Sequence, residues 1–357
     1  MTTDIISPTR HWCQKLIFTY LSCFNSVLWG YHMISRTKYQ LDEATILQLF
    51  AKSGIPNVTR AEPLGDGEFN AVHLAHTDQQ DYVLKVAPRD SAPVMRYEQN
   101  MMESEVFWYK QLRANTDIRV PKVFAADFSR ELLPVPYFIM EFLPGEPLNK
   151  AVLTPEERAE VDRMLPAMAA QLHAISNERF GYLQNALYDN WYEAIHAFVS
   201  QTLEDCARKK RRSRRGERLL RLIEQHRAIL EPVADCMVNF DIWPANSIVQ
   251  REEGDIRLCW IDPERCFWGD KMFDFVCFAF HQPLSDKPGV IAAYNAAAKT
   301  PITLSKEEQL RFAIGQGYLS LIMETEKYYR YSPLNYGWWR NVIACRLLYR
   351  VAFAALS

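Results

Sequence analysis

The stretch VNFDIWPANSIV (238–249), followed by LCWIDPERC (258–266), decides the fold prediction for this chain. It separates Asp241 from Asn246 by four residues and places Asp262 further along. In kinase-type phosphoryl-transfer sites, an Asp accepts the proton of the attacking hydroxyl and an Asn after four residues holds Mg²⁺. A later Asp holds the metal at the nucleotide phosphates. The spacing therefore predicts Asp241 as the catalytic base and Asn246 and Asp262 as metal ligands.

The residues around this motif predict a β-hairpin. SIV (247–249) and RLCWI (257–261) are apolar and β-prone, and the polar REEGD (251–255) between them has the composition of a turn. The two Asp side chains would then lie at the same end of the hairpin, close enough to share metal ions. The alternative is that the three polar residues only shape a turn beside a proline and cap the next element.

An upstream segment, LGDGEFNAVHLAH (64–76), has the pattern of a glycine-containing hairpin. Gly65 and Gly67 bracket an acidic turn and a strand follows, whereas a dinucleotide fingerprint would need a helix after the glycines. In a kinase, such a hairpin covers ATP and brings backbone N–H groups near the phosphates. The alternative is that the two glycines mark only a tight turn.

The next strand and helix predict a buried ion pair. The alternating strand that contains Lys85 places this residue among small apolar side chains, where an unpaired ammonium group is costly. We expect Lys85 to contact nucleotide phosphates and a glutamate of the following helix, predicted over residues 96–113. That glutamate is assigned as Glu105, with Glu98 and Glu103 as substitutes. The alternative is an edge-strand lysine that faces water.

Two further apolar strands, within residues 120–127 and 135–148, follow that helix, and the second ends at a Pro-Gly break. We predict that Glu141-Phe142-Leu143 is a hinge whose backbone contacts adenine. Glu141 and Leu143 therefore join the predicted nucleotide site.

Together these blocks resemble the aminoglycoside phosphotransferase and choline kinase-like superfamily. The resemblance runs from about Leu41 to the last residue and rests on GDGEFN, VLKV, PYFIMEFLPGEPL, FDIWPAN and WIDPERCFWGDKMFDF. It implies an α+β, bilobed protein-kinase-like fold. A small N-lobe (41–143) would have an antiparallel sheet and one main helix, and a larger C-lobe (144–357) would be mostly helical. Residues 1–40 form an N-terminal extension outside the pattern.

The resemblance also implies roles for residues outside the motif. Asp274 is expected to brace the catalytic loop, and His173 to be a packed structural histidine. Family members usually have His-Gly-Asp where this chain has Asn239-Phe240-Asp241. We expect Asn239 to substitute for the histidine through side-chain hydrogen bonds. The departure keeps a second hypothesis open, a catalytically weak nucleotide-binding pseudokinase with a regulatory role.

The composition agrees with a globular cytoplasmic enzyme. A chain of 357 residues with 48% hydrophobic residues can bury a large core, and a net charge of -2 gives no general reason to expect nucleic acid as a partner. The apolar segment 16–34 is interrupted by polar residues, so no membrane partner is expected, and the alternative is that it forms a membrane anchor. Eight cysteines without a C-x-x-C pair predict reduced thiols.

Six of the seven residues 209–215 are cationic, which predicts a solvated helix end or loop. The alternatives are that this basic run contacts an anionic substrate, nucleic acid or a targeting receptor.

We therefore predict an ATP- and Mg²⁺-dependent kinase that transfers the γ-phosphoryl group to a hydroxyl of a small polar molecule. An aminoglycoside-like compound would need carboxylates, which the acidic residues of segment 191–210 offer, and an amino alcohol would favour the aromatic residues of segment 328–339. A sugar is the third candidate. A protein kinase is disfavoured because no activation segment follows Asp262. The oligomeric state is left open.

Overall fold

The computed structural model describes residues 38–65 and 69–357. The predictions made for residues 1–37, most of the N-terminal extension, lie outside the described residues, and so does Gly67. Within the described residues, no helix has the length and apolar character needed to cross a membrane.

The described part of the N-lobe is an antiparallel sheet with one main helix packed on it, as predicted. Its elements are α1 (Glu43–Lys52), β1 (Arg60–Pro63), β2 (Ala71–His76), β3 (Asp81–Val86), α2 (Met101–Asn115), β4 (Val123–Asp127) and β5 (Tyr137–Glu141). The strands are ordered β1-β2-β3-β5-β4 in space. Strand β3 is buried on both faces, because Leu84 packs in the cluster that includes α1, and Val83 packs in the cluster that includes α2. Lys85 alternates with Leu84 and therefore lies on the α2 side.

Helix α2 begins later than predicted. The sequence pattern put the helix over residues 96–113, whereas the structure has a 3₁₀ turn at Arg96–Glu98 and starts α2 at Met101. Asn100, between them, has a φ of 57°, a left-handed conformation that Asn tolerates better than most residues. The carboxylate of Glu98 accepts a backbone N–H at 2.8 Å and pairs with Arg330 of the C-lobe. Glu98 therefore lies outside α2 and is not a partner of Lys85.

The larger C-lobe is mostly helical, as predicted. Its helices are α3 (Pro155–Leu172), α4 (Trp191–Arg208), α5 (Arg214–Gln225), α6 (Arg227–Leu230), α7 (Phe275–Phe278), α8 (Pro288–Ala297), α9 (Lys306–Arg330) and α10 (Tyr336–Leu356). Capping boxes start two of them: Thr154 accepts the N–H of Glu157 at α3, and Ser305 accepts that of Glu308 at α9, both at 3.2 Å. These side chains satisfy N–H groups that a helix start leaves without partners.

Short strands of the C-lobe position the candidate site. They are β6 (Glu146–Pro147), β7 (Cys236–Val238), β8 (Ser247–Glu252), β9 (Asp255–Trp260) and β10 (Phe267–Gly269). Strands β8 and β9 form the predicted hairpin, with a tighter turn than the pattern suggested. Gly145 permits β6 to pair with β8, since a Cβ there would lie 2.4 Å from the carbonyl oxygen of Val249. The loop 239–246 enters the hairpin and Asp262 leaves it, so both lie at the same end.

Candidate active site

A buried lysine lies among three carboxylates where the two lobes meet. Lys85 Nζ is 2.7 Å from Glu105 Oε2 and 3.2 Å from Glu264 Oε2, and it also contacts the carboxylate of Asp262. Strand β3 supplies the lysine, α2 supplies Glu105, and the turn after β9 supplies the other two. The structure thus brings together three residues singled out in the sequence, whereas Glu103 is exposed.

The charges of this cluster depend on one another. Burial lowers the pKa of Lys85, but the carboxylates of Asp262, Glu105 and Glu264 more than offset burial and hold this pKa well above its ordinary value. Burial raises the pKa of Glu105 to about 8 against the opposing effect of Lys85, and it also raises the pKa of Glu264. Because an opposite charge favours the ionised form of a carboxyl group, a further cation bound here would lower the pKa of Glu105 and of Glu264.

The same carboxylates could hold a metal ion. Single oxygen atoms of Glu105, Asp262 and Glu264 lie within 4.8 Å of one another. Carboxylate oxygens are the ligands that Mg²⁺ prefers. The side chain of Asp262 is 38% exposed, and its backbone N–H donates to the hydroxyl of Tyr109 at 2.8 Å. Sequence reasoning missed Glu264; the available signal was a second acidic residue two positions after Asp262, beyond a proline that starts a 3₁₀ turn.

The loop 239–246 holds Asp241 beside Asn246. Asn246 Nδ2 donates to Asp241 Oδ2 at 2.8 Å and to the Asp241 carbonyl at 3.0 Å, so the amide oxygen of Asn246 is left to accept or to bind a metal. Burial raises the pKa of Asp241, although Arg265, with its Nε 4.0 Å away, acts in the opposite direction. The negative charge of Asp262 raises this pKa further, which indicates that the two carboxylates interact.

The main-chain conformation of this loop is held by Asp274. Its carboxylate accepts the backbone N–H groups of Asn239, at 3.1 Å, and Phe240, at 2.5 Å. His173 Nε2 lies 2.9 Å from the same carboxylate, and the histidine side chain is 3% exposed. Asn239 Oδ1 accepts the N–H of Asp241 at 3.2 Å. These contacts are the ones expected for Asp274 as a brace of the loop and for His173 as a packed structural histidine. The hydrogen bond of Asn239 is the one expected for a substitute for the family's loop histidine.

Phe240 occupies the place of the usual glycine in a left-handed conformation, with φ of 57°. Such a conformation costs a non-glycine residue about 1–2 kcal/mol. The ring is 1% exposed and lies 5.6 Å from the rings of Phe267 and Tyr318 and 5.8 Å from that of Phe273. Burial of the ring among these aromatic residues offsets the backbone strain and lets the chain present Asp241 without the glycine.

A series of ion pairs connects Asp241 to the N-lobe. Arg265 lies between Asp241 and Glu326, with its Nη2 3.4 Å from Glu326 Oε1. Arg330 Nη1 contacts Glu326 at 2.8 Å, and its Nη2 pairs with Glu98. The sequence signal for this network was limited to the spacing of Glu326 and Arg330, one helical turn apart on α9.

The glycine hairpin approaches the lysine cluster. Gly65 has a φ of 72°, a conformation that favours glycine. Asn70, at the start of β2, donates from Nδ2 to Glu264 Oε2 at 2.9 Å. The hairpin therefore contacts the same carboxylate that contacts Lys85.

The predicted hinge follows β5. The carboxylate of Glu141 is bound by Arg119, with Nη1 to Oε2 at 3.0 Å, and by the backbone N–H of Lys122 at 3.1 Å. Leu143 is buried in a small apolar cluster with Ile248 and Cys259 of the hairpin β8–β9. The side chain of Glu141 is thus paired with Arg119, while Leu143 packs in a buried apolar cluster that joins the hinge to the C-lobe hairpin.

Comparison with known proteins agrees with this geometry. A sequence model described as the phosphotransferase enzyme family matches residues 60–312, from β1 into α9. A search of curated proteins found no significant match.

Three solved structures illustrate what the chain is similar to. A candidate fructosamine-3-kinase from Haemophilus somnus 129PT is 18% identical, with 86% of this chain and 96% of that chain covered and a TM-score of 0.61. A candidate aminoglycoside phosphotransferase from Ralstonia eutropha JMP134 is 16% identical, with 88% and 99% covered and a TM-score of 0.62. Spectinomycin phosphotransferase, in complex with ADP and spectinomycin, is 14% identical, with 89% and 99% covered and a TM-score of 0.56.

At these identities the structural likeness concerns the fold, and it confirms the bilobed kinase-like architecture. The family match covers well over half of the sequence. This chain therefore belongs to the phosphotransferase enzyme family.

Proposed function

We propose that the chain is a small-molecule kinase that transfers the γ-phosphoryl group of ATP, with Mg²⁺, to a hydroxyl group. One observation supports the proposal above all others. The loop 239–246 and the turn after β9 present Asp241, Asn246 and Asp262 at one end of a hairpin, beside the buried pair of Lys85 and Glu105. This is the set of side chains that kinase-type phosphoryl transfer requires.

The donor set fits Mg²⁺. Asp262 and the amide oxygen of Asn246 would hold the ion, and Glu264 offers a further carboxylate oxygen. When bound, Mg²⁺ neutralises negative charge on the phosphates. Lys85, oriented by Glu105, would contact the phosphates and add positive charge where the transition state gains negative charge.

Asp241 would accept the proton of the acceptor hydroxyl. Asn246 donates to Oδ2, and Oδ1, which lies 4.0 Å from Arg265 Nε, is the atom that would face the hydroxyl. Because burial raises its pKa, the Asp241 carboxylate is a stronger base than a solvated aspartate. The brace from Asp274 would keep the carboxylate in place during proton transfer.

The nucleotide would lie between the glycine hairpin and the hinge. The buried apolar cluster of Leu143, Ile248 and Cys259 would support the hinge from the C-lobe side. Structures similar to this chain include complexes with ADP, with ATP and with GDP, so we propose ATP and include GTP in the test. The backbone of Glu141 and Leu143 would contact the base.

The acceptor would be an aminoglycoside-like compound, an amino alcohol or a sugar. Solved structures similar to the chain include complexes with gentamicin and with spectinomycin, which favours hydroxylated amines as the first compounds to test. The cytoplasmic location and the lobe boundaries at residues 40 and 143 remain predictions.

An ADP-release screen tests the proposal. The full chain would be incubated with Mg²⁺, with ATP or GTP, and with panels of hydroxylated amines, sugars and aminoglycosides. Mass spectrometry of each product would then detect the addition of one phosphoryl group. We expect ADP release that depends on an acceptor and is lost in Asp262→Asn. Nucleotide binding without release in any panel would instead favour the pseudokinase, and a chain that binds neither nucleotide would contradict both.

A further inference from the structure

Helix α10 has a solvent-facing stripe of aromatic, aliphatic and arginine side chains. Tyr336, Trp339 and Ile343 are 40%, 56% and 43% exposed, and Leu334, just before the helix, is 99% exposed. The spacing of the three helical residues places them on one side of α10. The helix contains no acidic residue. Large apolar side chains exposed together in this way usually mark a contact surface.

Arginine residues continue the stripe along the same helix. The exposed residues include Arg340, Arg346 and Arg350. At 3.6 residues per turn, these arginines and the three apolar positions fall within an arc of about 120°, so apolar and cationic groups share one face. A helix face with this composition is typical of segments that lie in a membrane interface.

The basic run of residues 209–215 lies beside this helix. The guanidinium carbon of Arg215 is 5.9 Å from the ring centre of Tyr349, and that of Arg218 is 4.4 Å from the ring centre of Phe353. Both rings belong to α10, so these arginines of α5 add positive charge beside the helix. The run was predicted from the sequence as a solvated helix end or loop, and the structure adds a neighbour that carries exposed apolar side chains.

Charge is concentrated on this part of the molecule. Residues 209–221 and 331–357 contain eleven Lys or Arg residues and one acidic residue, although the whole chain has a net charge of -2. The single acidic residue, Glu217, is paired with Arg212 at 2.6 Å. The face is therefore strongly cationic in a chain that is otherwise acidic, which favours an anionic partner.

We propose that α10 and the start of α5 form a docking face for an anionic lipid bilayer. Lipid headgroups would attract the arginines, and the exposed aromatic and aliphatic side chains would enter the region between headgroups and acyl chains. A nucleic acid would use the cations but leave Leu334, Trp339 and Ile343 without a role, so a bilayer fits the face better. Such surface contact needs no spanning helix, and it goes beyond the proposed kinase activity without depending on it.

Flotation of the full chain with lipid vesicles tests the proposal. Binding is expected to vesicles that contain one third phosphatidylserine and not to phosphatidylcholine alone, and it should weaken as salt is raised. The variant Arg346→Glu/Arg350→Glu should lower the partition coefficient by about tenfold or more. Trp339→Ala/Ile343→Ser should lower it by roughly fivefold while leaving the salt dependence unchanged.

A matched control reverses two exposed arginines elsewhere. Arg158→Glu/Arg163→Glu, on α3, changes net charge by the same amount and should bind vesicles as the wild type does. Circular dichroism would verify that every variant is folded. Three outcomes would overturn the proposal: no binding to vesicles, binding that does not depend on phosphatidylserine, or an equal loss of binding in the control variant. Tighter binding to duplex RNA than to vesicles, unaffected by the changes at Trp339 and Ile343, would overturn it in favour of nucleic acid.

Discussion

Replacement of Phe240 separates two opposing effects in the catalytic loop. Its ring is 1% exposed, so Phe240→Ala should cost about 3–5 kcal/mol of unfolding free energy. Alanine retains the left-handed strain at φ of 57°, about 1–2 kcal/mol, and glycine does not. Glycine also gives the unfolded chain more freedom, which costs about 0.5–1 kcal/mol. Phe240→Gly should therefore be more stable than Phe240→Ala by about 1 kcal/mol.

Urea unfolding, followed by circular dichroism, measures this difference. Phe198 provides a control, because its ring contacts several of the same aromatic residues, including Phe267 and Tyr318, but it lies inside helix α4. There the order should invert, with the glycine variant less stable than the alanine variant by about 1 kcal/mol. If Phe240→Ala proves as stable as Phe240→Gly, the strain assigned to this loop is wrong.

Three further changes test the site. Because burial raises the pKa of Glu105 from 4.5 to about 8, the stabilising contribution of its protonated form is present below pH 4.5 and lost as pH rises through 8. The urea concentration at the unfolding midpoint should therefore fall less between pH 4.5 and about pH 8 in Glu105→Gln than in the wild type. An equal fall in the two proteins would argue against the raised pKa of Glu105. Arg330→Met removes one partner of Glu326 and leaves Glu98 with an unpaired buried charge, so it should cost about 3 kcal/mol in thermal or urea unfolding. Adding Glu98→Gln should recover part of this loss, and a double variant no more stable than the single one would count against the pair. Asp274→Asn weakens the brace and should lower kcat roughly 100-fold with little change in nucleotide affinity by calorimetry; unchanged kcat would exclude a positioning role.

Much of the fold follows from local patterns in the sequence. Alternating apolar residues around Lys85 give a strand, the polar turn after residue 250 gives a hairpin, and Thr154 and Ser305 start helices where the capping boxes indicate. These features depend on neighbours within a few positions, so periodicity and turn chemistry are sufficient to find them.

The remainder depends on contacts between distant parts of the chain. Glu98, which lies before the start of α2, pairs with Arg330, and the two residues are 232 positions apart. Glu264 reaches Lys85 across 179 positions. Phe240 is accommodated because Tyr318, on a helix far along the chain, supplies a stacking partner. Sequence periodicity carries no information about these partners.

The kinetics of Asp241→Asn test the central claim most directly. With an acceptor identified by the ADP-release screen, kcat should fall by about 1000-fold or more, because the substituted amide cannot accept the hydroxyl proton. The Kd for ATP with Mg²⁺, measured by calorimetry, should stay close to that of the wild type. A kcat near the wild-type value on that acceptor would contradict the assignment of Asp241 as the catalytic base.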